Sequence, residues 1–263
     1  MIKKRLSILG IPIYKGQKLK GPELAPSLLK SVFFNKSKFN TLELKSKDLL
    51  TNLKYTKSHI SSNNYNLFIG GDHSISLATI SGSIKKYNKK NLIIWIDAHT
   101  DCNNFITSPS NNLHGMSVTG LLGKLNSKYK LFHCIDPSQI LYIGIRSIDN
   151  GEKKFIKQNK IKMISMDMIK RKGLHKNLEE YKSFLKNKNI HISFDVDSID
   201  PKFISSTGTP VKDGLNIKQA RDLFRFLFKY NINTMDIVEL NPKLGNVNKS
   251  LDSLKVIKNI LSK

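Results

Sequence analysis

The stretch Asn91-Leu92-Ile93-Ile94-Trp95-Ile96-Asp97-Ala98-His99-Thr100-Asp101 joins an unbroken apolar run to a tight group of acids and an imidazole. The run is short and continuously apolar, so it predicts a strand covered on both of its faces, the kind found in parallel sheets. In extended backbone the side chains at i, i+2 and i+4 share a face. Asp97, His99 and Asp101 are therefore expected to converge at one side of the strand end.

The same junction recurs elsewhere in the chain. His191-Ile192-Ser193-Phe194 runs into Asp195-Val196-Asp197, and Leu67-Phe68-Ile69 runs into Gly70-Gly71-Asp72-His73-Ser74. Strands are predicted at residues 6–9, 67–69, 92–96, 140–145, 163–164, 190–196 and 235–238. Helical patterns lie between them, at residues 22–34 and 74–87. Asn216 is read as the N-cap of a helix burying Ile217, Ala220, Leu223, Phe224, Leu227 and Phe228. Ser250 is read as the N-cap of one burying Leu251, Leu254, Ile257 and Leu261. Alternation of strand and helix from end to end predicts an α/β fold, a mainly parallel sheet flanked by helices on both faces in three layers. No linker or repeat divides it, so residues 1–263 are read as a single domain. Ligands of open α/β sheets bind beyond the carboxyl ends of the strands, where each acidic or His-containing motif falls here.

Composition excludes several classes. The 263 residues carry 44 Lys plus Arg against 20 Asp plus Glu, a formal charge of +24. Of the 44 cations 39 are Lys and only 5 Arg, beside 25 Asn. Phosphate and base recognition favours the planar fork of Arg, so this balance reads as a compositional habit and not as a nucleic-acid footprint. The lysines are scattered, with no arm or tail. No apolar run approaches the length of a membrane span. Cys102 and Cys134 form no disulfide scaffold, and the N-terminus offers no signal-peptide pattern, so the expected location is the cytoplasm.

Five or more carboxylates and imidazoles aimed into one crevice repel one another unless cations are held there. Asp97, Asp101, Asp195 and Asp197 contribute four negative charges, which two divalent ions neutralise, leaving His73 and His99 as one imidazole ligand for each ion. Carboxylate-rich coordination of this kind suits Mn²⁺, with Co²⁺, Ni²⁺ or Fe²⁺ as alternatives. Two ions sharing a water lower its pKa and supply a hydrolytic nucleophile.

Four blocks carry a family resemblance: Gly70-Gly71-Asp72-His73-Ser74, Asp97-Ala98-His99-Thr100-Asp101, residues 193–201 (Ser-Phe-Asp-Val-Asp-Ser-Ile-Asp-Pro) and Asp236-Ile237-Val238-Glu239-Leu240-Asn241-Pro242. In order and spacing the chain resembles the ureohydrolases, the family of arginases, agmatinases and formimidoylglutamases. The resemblance implies a binuclear manganese hydrolase whose metal ligands are His73, Asp97, His99, Asp101, Asp195 and Asp197. Within the family, Asn103, Ser110-Asn111-Asn112-Leu113-His114-Gly115 and residues 146–152 resemble the loops with which arginases hold the amino-acid end of L-arginine. That likeness implies Asn103, Ser110 and Asn112 at the α-carboxylate and Asp149 and Glu152 at the α-ammonium. Asn111 stands where the family commonly has Gly, a position suited to left-handed backbone. The resemblance further implies that Glu239 pairs with the guanidinium, that Thr209 supports that site, that Asp101 relays a proton to the departing amine, and that His114 is a proton shuttle. The implied products are L-ornithine and urea, and the implied assembly is a homo-oligomer, a trimer or hexamer. Agmatinase or formimidoylglutamase activity is the alternative, with a basic nucleic-acid-binding protein further off. The remaining histidines, His59, His133, His175 and His191, are read as structural or solvated.

Overall fold

The computed structural model describes residues 6–34, 38–84 and 88–261, with side chains to residue 259. Its eight strands are β1 (Ser7–Ile11), β2 (Lys38–Thr41), β3 (Leu67–Gly70), β4 (Asn91–Ile96), β5 (Ile140–Ile143), β6 (Lys162–Ile164), β7 (Asn189–Asp195) and β8 (Ile232–Val238). They form one sheet in the order β2-β1-β3-β8-β7-β4-β5-β6, with every pairing parallel.

The central strands feed two cores because successive side chains point to opposite faces. On one side Ile8, Leu67, Ile69, Leu92, Ile94, Ile96, Leu141 and Ile143 pack together. On the other lie Leu9, Ile11, Phe68, Ile93, Trp95, Ile140 and Tyr142. The first face is covered by α1 (Ala25–Phe33), and the second by α2 (Leu49–Ser61), α3 (Ser76–Ser83), α4 (Ser117–Leu121) and α5 (Asn150–Asn159). The first face is completed by α6 (Met166–Lys172), α7 (Leu174–Glu180), α8 (Lys182–Leu185), α9 (Ile217–Leu227) and α10 (Val247–Leu261). The predicted three-layer α/β arrangement is the one observed. No described helix is long and apolar enough to cross a membrane.

Several local expectations shift for identifiable reasons. The helix read over residues 22–34 divides into a 3₁₀ turn, Pro22–Leu24, and α1. The run 140–145 leaves the sheet after Ile143, where Gly144 turns with φ of 92°. Ser250 does not cap the last helix. That helix begins at Val247, Asn246 Oδ1 accepts the Lys249 N–H, and Ser250 Oγ donates back to the Asn246 carbonyl from inside the first turn. Asn216 is an N-cap as read, in a reciprocal capping box with Gln219. The end of the pattern at 74–87, residues 85–87, and the Leu261 side chain lie outside the described residues.

Strands β3, β8, β7 and β4 are consecutive in the sheet, so their carboxyl ends form one rim. His73 follows β3, Glu239 follows β8, Asp195 ends β7 with Asp197 in the turn after it, and Asp97 begins the turn after β4.

Candidate metal centre and active site

The six expected ligand side chains come together at that rim. His73 Nδ1 lies 3.1 Å from Asp97 Oδ2, 3.0 Å from Asp101 Oδ2 and 3.1 Å from Asp195 Oδ2. His99 Nδ1 lies 3.0 Å from Asp197 Oδ2 and 3.5 Å from Asp97 Oδ1. Asp97 thus offers one oxygen to each group, and both groups, His73/Asp97/Asp101 and Asp97/His99/Asp197, have ligand atoms close enough to hold an ion.

Convergence is achieved by bends, not by the extended strand that the i, i+2, i+4 spacing suggests. β4 stops at Ile96, and Asp101 takes a left-handed backbone with φ of 46°. Asp197 lies on a short 3₁₀ turn, Val196–Ser198, whose N-cap Asp195 accepts the Asp197 N–H at 2.8 Å. A left-handed non-glycine residue carries a local cost, and such residues concentrate at functional sites.

The donor set fits divalent cations. Buried His73 Nδ1 has no properly aligned hydrogen-bond partner, although three carboxylate oxygens surround it. One imidazole nitrogen amid oxygens from three acids is a natural coordination shell for a hard or borderline cation. In the absence of cations, burial and repulsion from Asp97 push the Asp101 carboxyl up to about 6, and burial with Asp197 raises Asp195 further. Burial opposes charge on His99, yet Asp197 and Asp97 push its imidazolium up to about 12. His73 is likewise raised against its burial by Asp101, Asp195 and Asp97. The metal-free cluster therefore stores protons that an incoming cation displaces. Affinity for Mn²⁺ is expected to rise with pH, on the order of tenfold per unit for each imidazole proton displaced. Titration calorimetry in buffers of different ionisation enthalpy reads that proton release, and a pH-independent affinity contradicts it.

Supporting residues hold the ligands in place. Trp95 Nε1 donates to Asp97 Oδ2 at 3.0 Å, and its ring stacks on His73 with centroids 4.1 Å apart. Arg146 donates to the carbonyls of Asp197, Ser198 and Val211, clamping the ligand turn against the following loop. Thr209 Oγ1 donates to Asp197 Oδ2 at 3.2 Å. Gly71 makes a close approach that excludes any side chain, since a Cβ there would lie 1.7 Å from the Ile13 carbonyl oxygen. Gly71→Ala is expected to cost about 3 kcal/mol by overpacking, lowering Tm by roughly 6–12 °C in a thermal melt.

Glu239 faces the cluster from β8 with φ of 64°. Its Oε1 accepts the His73 backbone N–H at 2.8 Å and lies 2.9 Å from His114 Nδ1, while its Oε2 accepts from Gln17 Nε2 at 2.7 Å. Burial disfavours charge on His114, but Glu239 overcomes this and pushes it up to about 9.

The outer residues form a connected loop set. Asn103 Nδ2 donates to Asp149 Oδ2 at 2.9 Å, and Asn103 Oδ1 accepts from Thr107. Asp149 caps α5, while buried Glu152 accepts the N–H groups of Asp149 and Cys102. Ser110 Oγ accepts the Asn112 N–H at 3.2 Å, on an exposed edge, and Asn111 adopts the left-handed φ of 55°. Burial and Glu152 push the Cys102 thiol up, away from the thiolate form that a nucleophile needs.

The eight-stranded parallel sheet, with helices on both faces, carries at its carboxyl rim a His/Asp cluster that could hold metal ions. The sequence matches the Arginase family over residues 4–261, and the chain belongs to that family. It is 40% identical over 190 residues to Arginase-1 of Bos taurus, a match covering 68% of this chain and 59% of the bovine protein. It is 32% identical to the arginase of Bacillus subtilis, covering 99% of this chain and 98% of that one. The crystal structure of Entamoeba histolytica arginase in complex with L-ornithine superposes with a TM-score of 0.89 at 31% identity, covering 98% of this chain and 99% of that one.

Proposed function

We propose that this chain hydrolyses L-arginine to L-ornithine and urea with two Mn²⁺ ions held by His73, Asp97, His99, Asp101, Asp195 and Asp197. The observation that carries the reading is Asp97, whose two oxygens face two adjoining groups of possible ligands, one of which includes His73, whose backbone N–H is held by Glu239. Family membership and the relatives named arginase support the choice of substrate. We take residues 1–263 as a single catalytic domain, working in the cytoplasm as a homo-oligomer, trimer or hexamer, with no nucleic-acid or membrane partner.

When bound, the two cations supply Lewis acidity that activates a water for attack on the guanidinium carbon. Glu239, fixed by Gln17, the His73 N–H and His114, presents a carboxylate to the guanidinium and orients it. Asp101 relays a proton to the departing amine, and His114, holding its proton at neutral pH, serves as the shuttle to solvent. At the far end Asn103, Ser110 and Asn112 take the α-carboxylate, and Asp149 with Glu152 takes the α-ammonium. Thr209 acts on the guanidinium end through its bond to Asp197.

Steady-state turnover of arginine and agmatine at equal concentration with added Mn²⁺ tests the assignment. Faster turnover of agmatine, or of formiminoglutamate in a parallel assay, sinks it in favour of that activity. Asp149→Ala is expected to lower kcat/KM for arginine by roughly tenfold or more while changing agmatine use little, because a charge-assisted contact worth about 1.5–3 kcal/mol is lost only with the amino acid. An equal loss on both substrates contradicts the ammonium contact.

A further inference from the structure

A chain of buried polar groups runs behind His73, away from the crevice. His73 Nε2 lies 2.9 Å from Ser193 Oγ, and Ser193 Oγ lies 3.1 Å from Ser76 Oγ. Ser76 Oγ donates to Asp236 Oδ2 at 2.7 Å, and Thr79 Oγ1 donates to the same oxygen at 2.8 Å. His191 Nε2 stands 3.2 Å from that oxygen, with its Nδ1 2.8 Å from Thr234 Oγ1. Every one of these residues is buried.

Elementary hydrogen-bond accounting gives the chain a direction. An ionised carboxylate only accepts, so Ser76 spends its single proton on Asp236. Ser193 can send its own proton to His73 Nε2 at 2.9 Å, to Ser76 Oγ at 3.1 Å or to Asp236 Oδ2 at 3.5 Å, and the negative charge of Asp236 draws it toward the last two. Both leave a lone pair of Ser193 facing His73 Nε2, so that ring nitrogen carries the proton and donates it. The other nitrogen, Nδ1, faces the oxygens of Asp97, Asp101 and Asp195.

We infer that Asp236 fixes which ring nitrogen of His73 is free for a cation, orienting the Ser76 and Ser193 hydroxyls so that Ser193 accepts the His73 Nε2 proton. Ligating histidines generally donate their second N–H to a carboxylate or carbonyl that sets the tautomer. Here the carboxylate acts through one or two hydroxyls, because it belongs to the neighbouring strand β8, with Ser193 on β7 and Ser76 in the first turn of α3. Asp236, Ser193 and Ser76 are positioning residues. The inference rests on the metal-centre reading proposed above, in which His73 is a ligand.

The test is the Mn²⁺ content of the full chain equilibrated against graded chelator, with Tm measured alongside. Wild type is expected to hold two ions, and His73→Ala to lose one. In Ser193→Ala the binding of one ion is expected to weaken on the order of 10- to 100-fold, with the second ion unchanged. Asp236→Asn is expected to match it, because an amide can donate into the hydroxyls and reverse their direction. Ser193→Thr, which keeps the hydroxyl, is expected to restore binding. Should Asp236→Asn fail to fold, Ser76→Ala replaces it and is expected to weaken the same ion by a smaller factor. Wild-type protein without stoichiometric Mn²⁺, or His73→Ala with an unchanged ion count, overturns the metal reading itself. If His73→Ala loses an ion while Ser193→Ala and the Asp236 or Ser76 variant bind as wild type does, the relay alone is overturned. Weakening of both ions together with a lowered Tm also overturns it, since that is the signature of a merely structural role.

Discussion

Asp97→Ala is expected to abolish activity and to release both cations together. Asp97 is the residue shared by the two ligand groups, one carboxylate oxygen toward His73 and the other toward His99. The Trp95 indole N–H donates to Asp97 Oδ2 and the His99 backbone N–H to Oδ1, which fixes the carboxylate between the two groups. Activation of water by the cations is worth several kcal/mol, and each 1.36 kcal/mol is a factor of ten, so kcat/KM should fall by about a thousandfold or more. Metal analysis should show less than one ion per chain, against the two expected for wild type. The metal-free variant should melt no lower than the metal-free parent, since the change also removes one of several mutually repelling buried carboxylates. Retention of two ions with activity within tenfold of wild type would falsify the shared-ligand role.

Glu239→Gln is expected to have the second largest effect, and to divide into two separable consequences. The first is loss of the anion opposite the substrate guanidinium, costing on the order of 10²–10³ in kcat/KM. The second is electrostatic. Glu239 is the main group holding the His114 imidazolium against its burial, with its value pushed up to about 9. A histidine raised in the folded state contributes stability that is fully present below its ordinary value near 6.5 and is lost as pH rises through about 9. In the Gln variant that window should close, so Tm of the metal-free protein should change less between pH 6.5 and 9 than in wild type. Histidine NMR of the metal-free protein should find His114 titrating well below its wild-type midpoint. An unchanged midpoint would mean that Asp101 and Asp72, not Glu239, dominate its environment.

The parts of the fold legible in the sequence were those in which one chemical signal sufficed. β4 is buried on both faces and reads as a continuous apolar run, while β7 is buried from Ile190 onward although His191 and Ser193 interrupt its apolar residues, and the acidic ends of both follow directly. β2 left no such signal: it is an edge strand whose residues are exposed except Phe39. α2 was equally silent, its sequence only weakly amphipathic and its start marked by the single cap Asp48. For the site, the ligand set was legible because each motif is local. The residues that hold it were not. Gln17 is 222 positions from Glu239, Trp95 reads as core, and Arg146 bonds to carbonyls that carry no sequence signature. His191 was read as structural or solvated, and it is buried against Asp236. Bends and a left-handed Asp101, not extended backbone, bring Asp97, His99 and Asp101 to the same rim.

The position of β8 in the sheet has a consequence for synthesis. It fills the slot between β3 and β7, so the half made of β2, β1 and β3 and the half made of β7, β4, β5 and β6 share no strand pairing without it. A nascent chain has already exposed His73, Asp97, His99, Asp101, Asp195 and Asp197 before residues 232–238 leave the ribosome. Until then no strand pairing fixes the His73 side of the rim against the rest, and joining the halves pairs residues as far apart as Leu67 and Met235. Such non-local closure is slow relative to local structure. The loading of the proposed cations is expected to wait for that closure, and a ribosome-stalled chain ending before β8 should emerge without a complete centre.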